Sequence, residues 1–255
     1  MNVLMTNDDG VHDPGIWALA RMLAGRGHAV TIVAPERQRS AVSHAITLHK
    51  PLRVTPHFEY ENENNITVYS SNGTPSDCAM LGVLEVAPGS DILISGINGG
   101  PNLGEDTIYS GTVAAAMEGA LLGVRSLAVS MSEYGMGDYG LAATFSAGLA
   151  EQLNNPDLPA RTLWNVNAPP VGADQYKGFR ITRLGTRKYS DILQKRVDPR
   201  GRPYYWITGQ LVRDVDDADT DNAATAAGLV SITPMLMDLT DYGLKKSLTI
   251  TDPMA

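Results

Sequence analysis

The feature that most restricts the fold of this chain lies at its amino terminus. A short apolar run, Val3 to Met5, stops on Asn7-Asp8-Asp9-Gly10, and a helix pattern follows within a few residues. An apolar run of that length, ended by turn residues, reads as a buried strand. Asp13-Pro14 then opens a helix, with Asp as its cap and Pro at its first position. Ile16, Leu19, Ala20 and Leu23 recur at helical spacing, Gly25 and Gly27 stop the helix, and Ala29 to Ala34 forms a second buried strand closed by Pro35. Strand, helix and strand in this order predict a right-handed βαβ unit and hence a parallel sheet. Asp8 and Asp9 therefore stand at the carboxyl end of a strand, where open α/β sheets bind ligands. Two adjacent ionised carboxylates repel each other, and a cation offsets that repulsion. Asp-Asp-Gly by itself is equally good turn chemistry, so its meaning depends on the rest of the chain.

The alternation continues. The polar loop Glu36 to His44 follows the second strand on the same edge as Asp8 and Asp9, and serines such as Ser40 and Ser43 commonly cap or turn there. Ile46 to Val54 and Ile66 to Ser70 have β character, with an exposed turn from Glu59 to Asn65 between them. Gly73-Thr74-Pro75-Ser76-Asp77 starts another helix, in which Thr74 is the cap, Asp77 is structural and Cys78 is a core residue. Asp91 to Ser95 is a strand followed by the glycine-rich Gly96-Ile97-Asn98-Gly99-Gly100-Pro101-Asn102-Leu103-Gly104. This loop is neither a Walker A sequence nor the spaced-glycine dinucleotide motif. Tyr109-Ser110-Gly111-Thr112 opens a helix to about Leu122, with Val113, Met117 and Leu121 on one face. Its amino end suits phosphate, and Ser110 is at the least an N-cap. Ser126 to Met131 and Thr162 to Asn167 are further strands, flanking a helix over Tyr139 to Leu153.

Beyond Pro169-Pro170 the alternation fails. Phe179 to Leu184 and Tyr204 to Thr208 read as strands of an exposed β segment, with Arg196 to Arg202 as the turn between them. The run Asp214, Asp216, Asp217, Asp219, Asp221 lacks the glycine and glutamate of a calcium loop, so it reads as solvated, with Asp221 capping a short helix before a strand over Val230 to Thr233.

Composition narrows the function. A net charge of -8 argues against coating nucleic acid or an anionic membrane. One cysteine excludes an internal disulfide and a thiolate zinc cluster. No apolar run is long enough to span a bilayer, and a cytoplasmic protein is expected. None of the five histidines shows metal-ligand spacing; His12 and His44 lie in candidate site loops, while His28, His49 and His57 read as structural. Asp8, Asp9, the Ser40 loop and Asn98 each follow a strand on one edge. Together they form an all-oxygen set suited to Mg²⁺, Mn²⁺ or Ca²⁺ rather than zinc or copper. A hard cation beside a glycine-rich loop and a helix amino end is equipment for phosphate-ester chemistry.

The motifs that run in order along the chain resemble the SurE (stationary-phase survival protein) family of nucleotidases. They are Thr6-Asn7-Asp8-Asp9-Gly10, Ala34-Pro35 with Arg39-Ser40, Gly73-Thr74-Pro75, Ser95 through Gly104, and Tyr109 through Glu118. Later come Gly185-Thr186-Arg187, Asp198-Pro199-Arg200-Gly201 and Ser231-Ile232-Thr233-Pro234. Ser76 departs from the threonine common in the family, and the region from Tyr242 onward matches no family pattern. The resemblance implies a phosphatase acting on nucleoside 5′- and 3′-monophosphates with one divalent metal ion per subunit, Mg²⁺ or Mn²⁺, held by Asp8, Asp9, Ser40 and Asn98. Asp8 and Asp9 are also the expected catalytic residues, and Asn7, Ser43, Asn102, Ser110, Gly111 and Thr112 the expected phosphate-binding set. No nucleic-acid polymer or membrane partner is expected.

The fold class expected is a Rossmann-like, doubly wound, mostly parallel sheet in three α/β/α layers, with a C-terminal β-hairpin extension. The expected division is a catalytic core over 1–178 and an extension over 179–255, of which 221–234 packs back on the core. The β segment around Phe179 to Thr208, having little apolar periodicity to bury it on its own sheet, is expected to reach across to a second subunit, and the resemblance implies a homodimer or homotetramer that exchanges carboxyl-terminal elements. Two rival functions are a non-catalytic nucleotide sensor on the same scaffold and a nucleotide-sugar glycosyltransferase, suggested by Gly27-His28-Ala29-Val30-Thr31-Ile32-Val33-Ala34-Pro35. The second needs another nucleotide-binding domain, for which 255 residues leave little room.

Overall fold

The computed structural model describes residues 1–60, 63–135, 138–190, 192–212 and 217–253. The first strand, β1 (Asn2–Thr6), is followed by helix α1 (Pro14–Gly25) and strand β2 (Ala29–Pro35). A short β3 (Val54–Pro56) and a longer β4 (Ile66–Ser71) lead into α2 (Pro75–Leu81). Then come β5 (Ile92–Asn98), α3 (Gly111–Leu121), β6 (Arg125–Met131), α4 (Gly140–Leu153) and β7 (Leu163–Ala168). The remainder comprises β8 (Phe179–Ile181), β9 (Lys188–Ser190), β10 (Leu193–Val197), β11 (Pro203–Ile207) and β12 (Gln210–Val212), and finally α5 (Asp221–Ala226), β13 (Val230–Met235) and α6 (Tyr242–Ser247).

Nine strands form one sheet in the order β3-β4-β2-β1-β5-β6-β7-β13-β8. From β4 to β7 every neighbouring pair is parallel, whereas β3 and β13 run antiparallel to β4 and β7. The chain leaves β1 towards β2 and later returns to place β5 on the opposite side of β1. Their carboxyl ends therefore bound the crevice of a topological switch point.

Alternation along the strands supplies both faces of the sheet. Val3 and Met5 join Ile16, Leu19, Leu23 and Ala142 on the face covered by α1 and α4, while Leu4 joins Cys78, Ala79 and Ala115 on the face covered by α2 and α3. Leu4, Met5 and Ile94 are fully buried, each stabilising the fold by about 2 kcal/mol. The helix starts follow local chemistry. Asp13 accepts from the Gly15 amide, and Thr74 and Asp77 form a reciprocal capping box. Cys78 is buried, and burial pushes its thiol up, which keeps it inert. On α3, Val113 and Met117 pack against the core but Leu121 is exposed, because the buried contact is made chiefly by Gly and Ala residues.

Several expectations are corrected. The β character of Ile46 to Val54 produces a strand only from Val54 onward. The preceding stretch is irregular, its backbone pinned by side chains, with Thr47 N–H donating to Asp77 and Arg53 N–H to Asn72. Phe179–Ile181 belongs to the large sheet, beside β13, and not to the projecting segment. Pro203–Ile207 pairs instead with Leu193–Val197 around a turn in which Asp198 accepts from the Arg200 and Arg202 amides, and β9 pairs with β12. Within the acidic run, Asp214 and Asp216 lie outside the described residues. Asp221 is fully buried, and Thr220 rather than Asp221 caps α5. Among the described residues there is one large sheet and no second nucleotide-binding domain, which removes the glycosyltransferase reading.

Candidate functional site

Asp8 follows β1 and is buried with 5% of its surface exposed, whereas Asp9 is half-buried. Asn7 shapes this turn. Its Nδ2 donates to the Gly10 carbonyl at 2.9 Å, and its Oδ1 accepts from the Gly10 amide at 3.0 Å. Both polar ends of Asn7 are thereby used on the backbone, so the structure gives it a positioning role and not the expected phosphate contact. The Thr112 hydroxyl donates to Asp8 Oδ1, and Gln38 Nε2 donates to Asp9 Oδ1 at 3.2 Å. Thr112, fully buried, thus aims Asp8 instead of facing a ligand. Gly111 is needed for the same contact. A Cβ there would lie 2.9 Å from the Asp8 Cβ and 3.0 Å from its Oδ2.

Burial pushes Asp8 up to about 6, opposed by the Thr112 hydrogen bond and assisted by the charge of Asp9. Burial raises Asp9 as well, against the Gly99 amide and Gln38. Among the described residues neither carboxylate has a Lys or Arg partner. The pair is a concentration of negative charge that the protein itself does not neutralise.

These carboxylates line a cleft of about 670 Å³ together with Gln38, Ser40, Asn98, Asn102, Ser110 and Tyr109. The sequence-chosen Asp8, Asp9, Ser40, Asn98, Asn102 and Ser110 are thus brought to one place. Asn7, Ser43, Gly111 and Thr112 stand behind or beside it. Asn98 Nδ2 donates to the Gly100 carbonyl at 2.7 Å, which leaves Oδ1 as the free end of the carboxamide. The register of β5 on β6 shifts between Ser95 and Asn98, an irregularity of the kind that re-aims a side chain. Ser110 caps α3 by accepting from the Val113 amide at 3.0 Å and keeps its own proton for a ligand. The first-turn amides of α3 add partial positive charge at the same wall.

The loop after β2 is held against the site. Arg39 N–H donates to the Asp8 carbonyl at 2.7 Å, and Ser43 donates through its amide to Tyr109 O and through its hydroxyl to Ile108 O. Ala41 and Ser43 adopt left-handed backbone, at φ 55° and 52°, a strain of about 1 kcal/mol each that the surroundings must enforce. His44 bonds Glu118 on α3 at 2.7 Å, whereas His12 turns away to Tyr60.

Sequence reasoning missed the residues that brace the site. Asn102 N–H donates to Asn167 Oδ1, its carbonyl accepts from Asn165 and Asn167, and its Nδ2 donates to Ser130 at 2.7 Å. The alternating Asn165-Val166-Asn167 in a buried strand was the available signal, since buried carboxamides need partners. Asp221 accepts from the Gly104 and Gly185 amides, both at 2.8 Å, and so joins the glycine-rich loop to Gly185-Thr186-Arg187. Burial raises Asp221 above the usual carboxylate range, against those two amides. Arg187 pairs with Asp106 at 3.0 Å, and Tyr189 donates to the same carboxylate. No local pattern announces these pairs, which connect residues more than 80 apart in sequence in the Asp106 case.

The donor set fits a hard divalent cation. Two carboxylates, a hydroxyl and a carboxamide line one cleft, an all-oxygen donor set of the kind that hard cations take.

A family model described as "Survival protein SurE" matches residues 3–191. A protein of Natranaerobius thermophilus named 5′-nucleotidase SurE is 49% identical over 253 residues, covering 98% of this chain and 98% of the relative. A protein of the same name from Caldanaerobacter subterraneus is 48% identical, covering 97% and 96%. Among solved structures, the crystal structure of the SurE protein from Aquifex aeolicus superposes with a TM-score of 0.84 at 37% identity, covering 97% of this chain and 98% of that one.

Proposed function

Because the chain belongs to the SurE family, whose matching relatives carry the name 5′-nucleotidase, we propose that its cleft hydrolyses nucleoside 5′- and 3′-monophosphates with the help of a divalent cation. The single observation that carries the metal dependence is the uncompensated Asp8–Asp9 pair, facing a cleft beside the amino end of α3. Asp8, Asp9, Ser40 and Asn98 would hold the cation, Mg²⁺ or Mn²⁺, one per subunit. When bound, it supplies charge neutralisation at the phosphoryl group and acidifies a water molecule.

The chain's own residues do the rest. Thr112 and Gln38 keep the two carboxylates in fixed orientations, so no reorganisation is needed at the moment of reaction. The Ser110 hydroxyl and the first-turn amides of α3 bind phosphate oxygens, and Asn102, immobilised by Asn165, Asn167 and Ser130, closes the other side. A carboxylate of the pair orients the attacking water and accepts its proton. Rapid acid quench of single turnovers with ³²P-labelled AMP and excess enzyme should trap no label on the protein; a labelled acyl-phosphate on Asp8 or Asp9 would mean that a carboxylate attacks phosphorus itself.

The exposed hairpin of β10 and β11 supports the further reading that subunits exchange this segment in a homodimer or homotetramer. No helix among the described residues is long and apolar enough to cross a membrane. A cytoplasmic setting belongs to the same proposal and rests on the single buried cysteine. The deciding assay is phosphate release from a panel of nucleoside monophosphates, with and without EDTA. Turnover that chelation abolishes supports the proposal, and nucleotide binding without turnover would make the protein a sensor.

A further inference from the structure

The cleft has aromatic and apolar lining besides the polar groups just described. Tyr109, Tyr134, Tyr189 and Ile207 face it. Tyr109 and Tyr134 are exposed by 65% and 76%, an unusual investment of aromatic surface on one wall of a polar site. Tyr134 sits directly over the glycine-rich loop. A Cβ at Gly100 would fall 2.1 Å from its Cε1, so a side chain at that position would displace the ring. Tyr189 comes from the opposite side, on β9, and its hydroxyl is tied to Asp106, which Arg187 holds in turn. The Tyr189 ring is anchored by its hydrogen bond, and the Tyr134 ring lies against the Gly100 backbone with most of its surface exposed.

Two of the polar side chains lining the cleft are committed to neighbours: Gln38 Nε2 is bonded to Asp9, and Asp106 to Tyr189 and Arg187. A ligand extending along the cleft from the phosphate site meets these aromatic side chains. Tyrosine rings offer a large contact area at little entropic cost, and a base stacks on them through its π-face.

Resting on the nucleotidase reading, we propose that Tyr134 and Tyr189 form the nucleobase subsite, which holds the base by its faces while Ser110 and Asn102 hold the phosphate. The segment after Gly185 is then part of the substrate site as well as a projection from the core. Stacking affects binding of the nucleoside and leaves the chemistry at phosphorus alone, so its loss should enter KM and not kcat.

The test compares AMP with ribose 5-phosphate, which carries the same ester without a base, in the wild type and in Tyr134→Ala, Tyr134→Phe and Tyr189→Ala. The wild type should prefer AMP in kcat/KM by about tenfold or more, a preference that Tyr134→Ala and Tyr189→Ala reduce by about tenfold through KM, and that Tyr134→Phe retains. Unchanged preference in both alanine variants overturns the subsite. Calorimetric binding of adenosine, weakened by Tyr134→Ala and kept by Tyr134→Phe, reads the subsite without turnover, and equal adenosine affinity in all four proteins also overturns it. Failure of the nucleotidase reading shows up separately, as absence of phosphate release from both esters by the wild type.

Discussion

The crevice at the end of β1 and the projecting hairpin of β10 and β11 treat their side chains in opposite ways. In the crevice, polar groups are buried and nearly all are committed. Asn102 is held by three residues of β6 and β7, Asp8 by Thr112, and Asn7 by its own turn. In the hairpin, apolar groups are exposed. Leu193, Tyr205, Trp206 and Ile207 face solvent, and Ile207 does so over 84% of its surface. A two-stranded ribbon is marginal by itself in water; in the proposed reading another subunit covers the hairpin, and a cation balances the crevice. The first region is complete as a scaffold for chemistry.

The largest expected effect breaks the crevice. Asp8→Asn or Asp9→Asn removes a carboxylate from the cation set, and activity should fall by roughly a hundredfold or more, with excess Mn²⁺ restoring it only in part. Steady-state rates across a Mn²⁺ titration check this, and a variant of near wild-type activity would deny both carboxylates their role. Next in size is Thr112→Val, which keeps shape but deletes the hydroxyl that aims Asp8. A loss of about ten- to a hundredfold in activity or metal affinity is expected, at an unchanged melting temperature.

How much of this was legible beforehand differs between the two regions for a physical reason. That Asp8, Asp9 and Asn98 share one cleft was readable because Asp8 and Asp9 come just after β1 and Asn98 ends β5, and strand ends of a parallel sheet converge whatever the loops do. Ser110 was readable as a cap, since capping is local chemistry. The brace was not, because Asp221 with Gly104 and Asn165 with Asn102 are partners only after the chain has folded back. The hairpin was half legible. The turn at Asp198 follows from its residues, but the partner strand was misassigned to Phe179–Leu184. That short apolar stretch finds its pairing on β13 instead.

A smaller effect probes the hairpin. Trp206→Ser combined with Tyr204→Ser should shift the protein from dimer or tetramer to monomer in light scattering, while the melting of the core changes by less than about 1 kcal/mol, as for surface positions generally. A wild type that is monomeric at micromolar concentration would remove the contrast altogether. The smallest effect belongs to Asp77, away from both regions. Burial opposes its ionisation, yet the amides of Thr47 and Thr74 together hold its carboxyl below the ordinary aspartate value of 3.8. A depressed carboxylate contributes stability that is present above its unfolded pKa and lost as pH falls through the folded one. Asp77→Asn should therefore cost about 1 kcal/mol at neutral pH, and its difference from the wild type should shrink as pH drops below 3.8. Denaturant melts at several pH values measure this, and a difference independent of pH would contradict it.

The central claim is that the Asp8–Asp9 pair is a cation site whose occupancy switches on nucleotide hydrolysis. It is tested most directly by titrating Mn²⁺ into EDTA-treated protein and following heat and AMP turnover in parallel. The account predicts one ion bound per chain, with phosphate release rising in proportion to occupancy and both signals greatly weakened in Asp9→Asn. Full AMP turnover before any ion binds, or ion binding undiminished in Asp9→Asn, would contradict it.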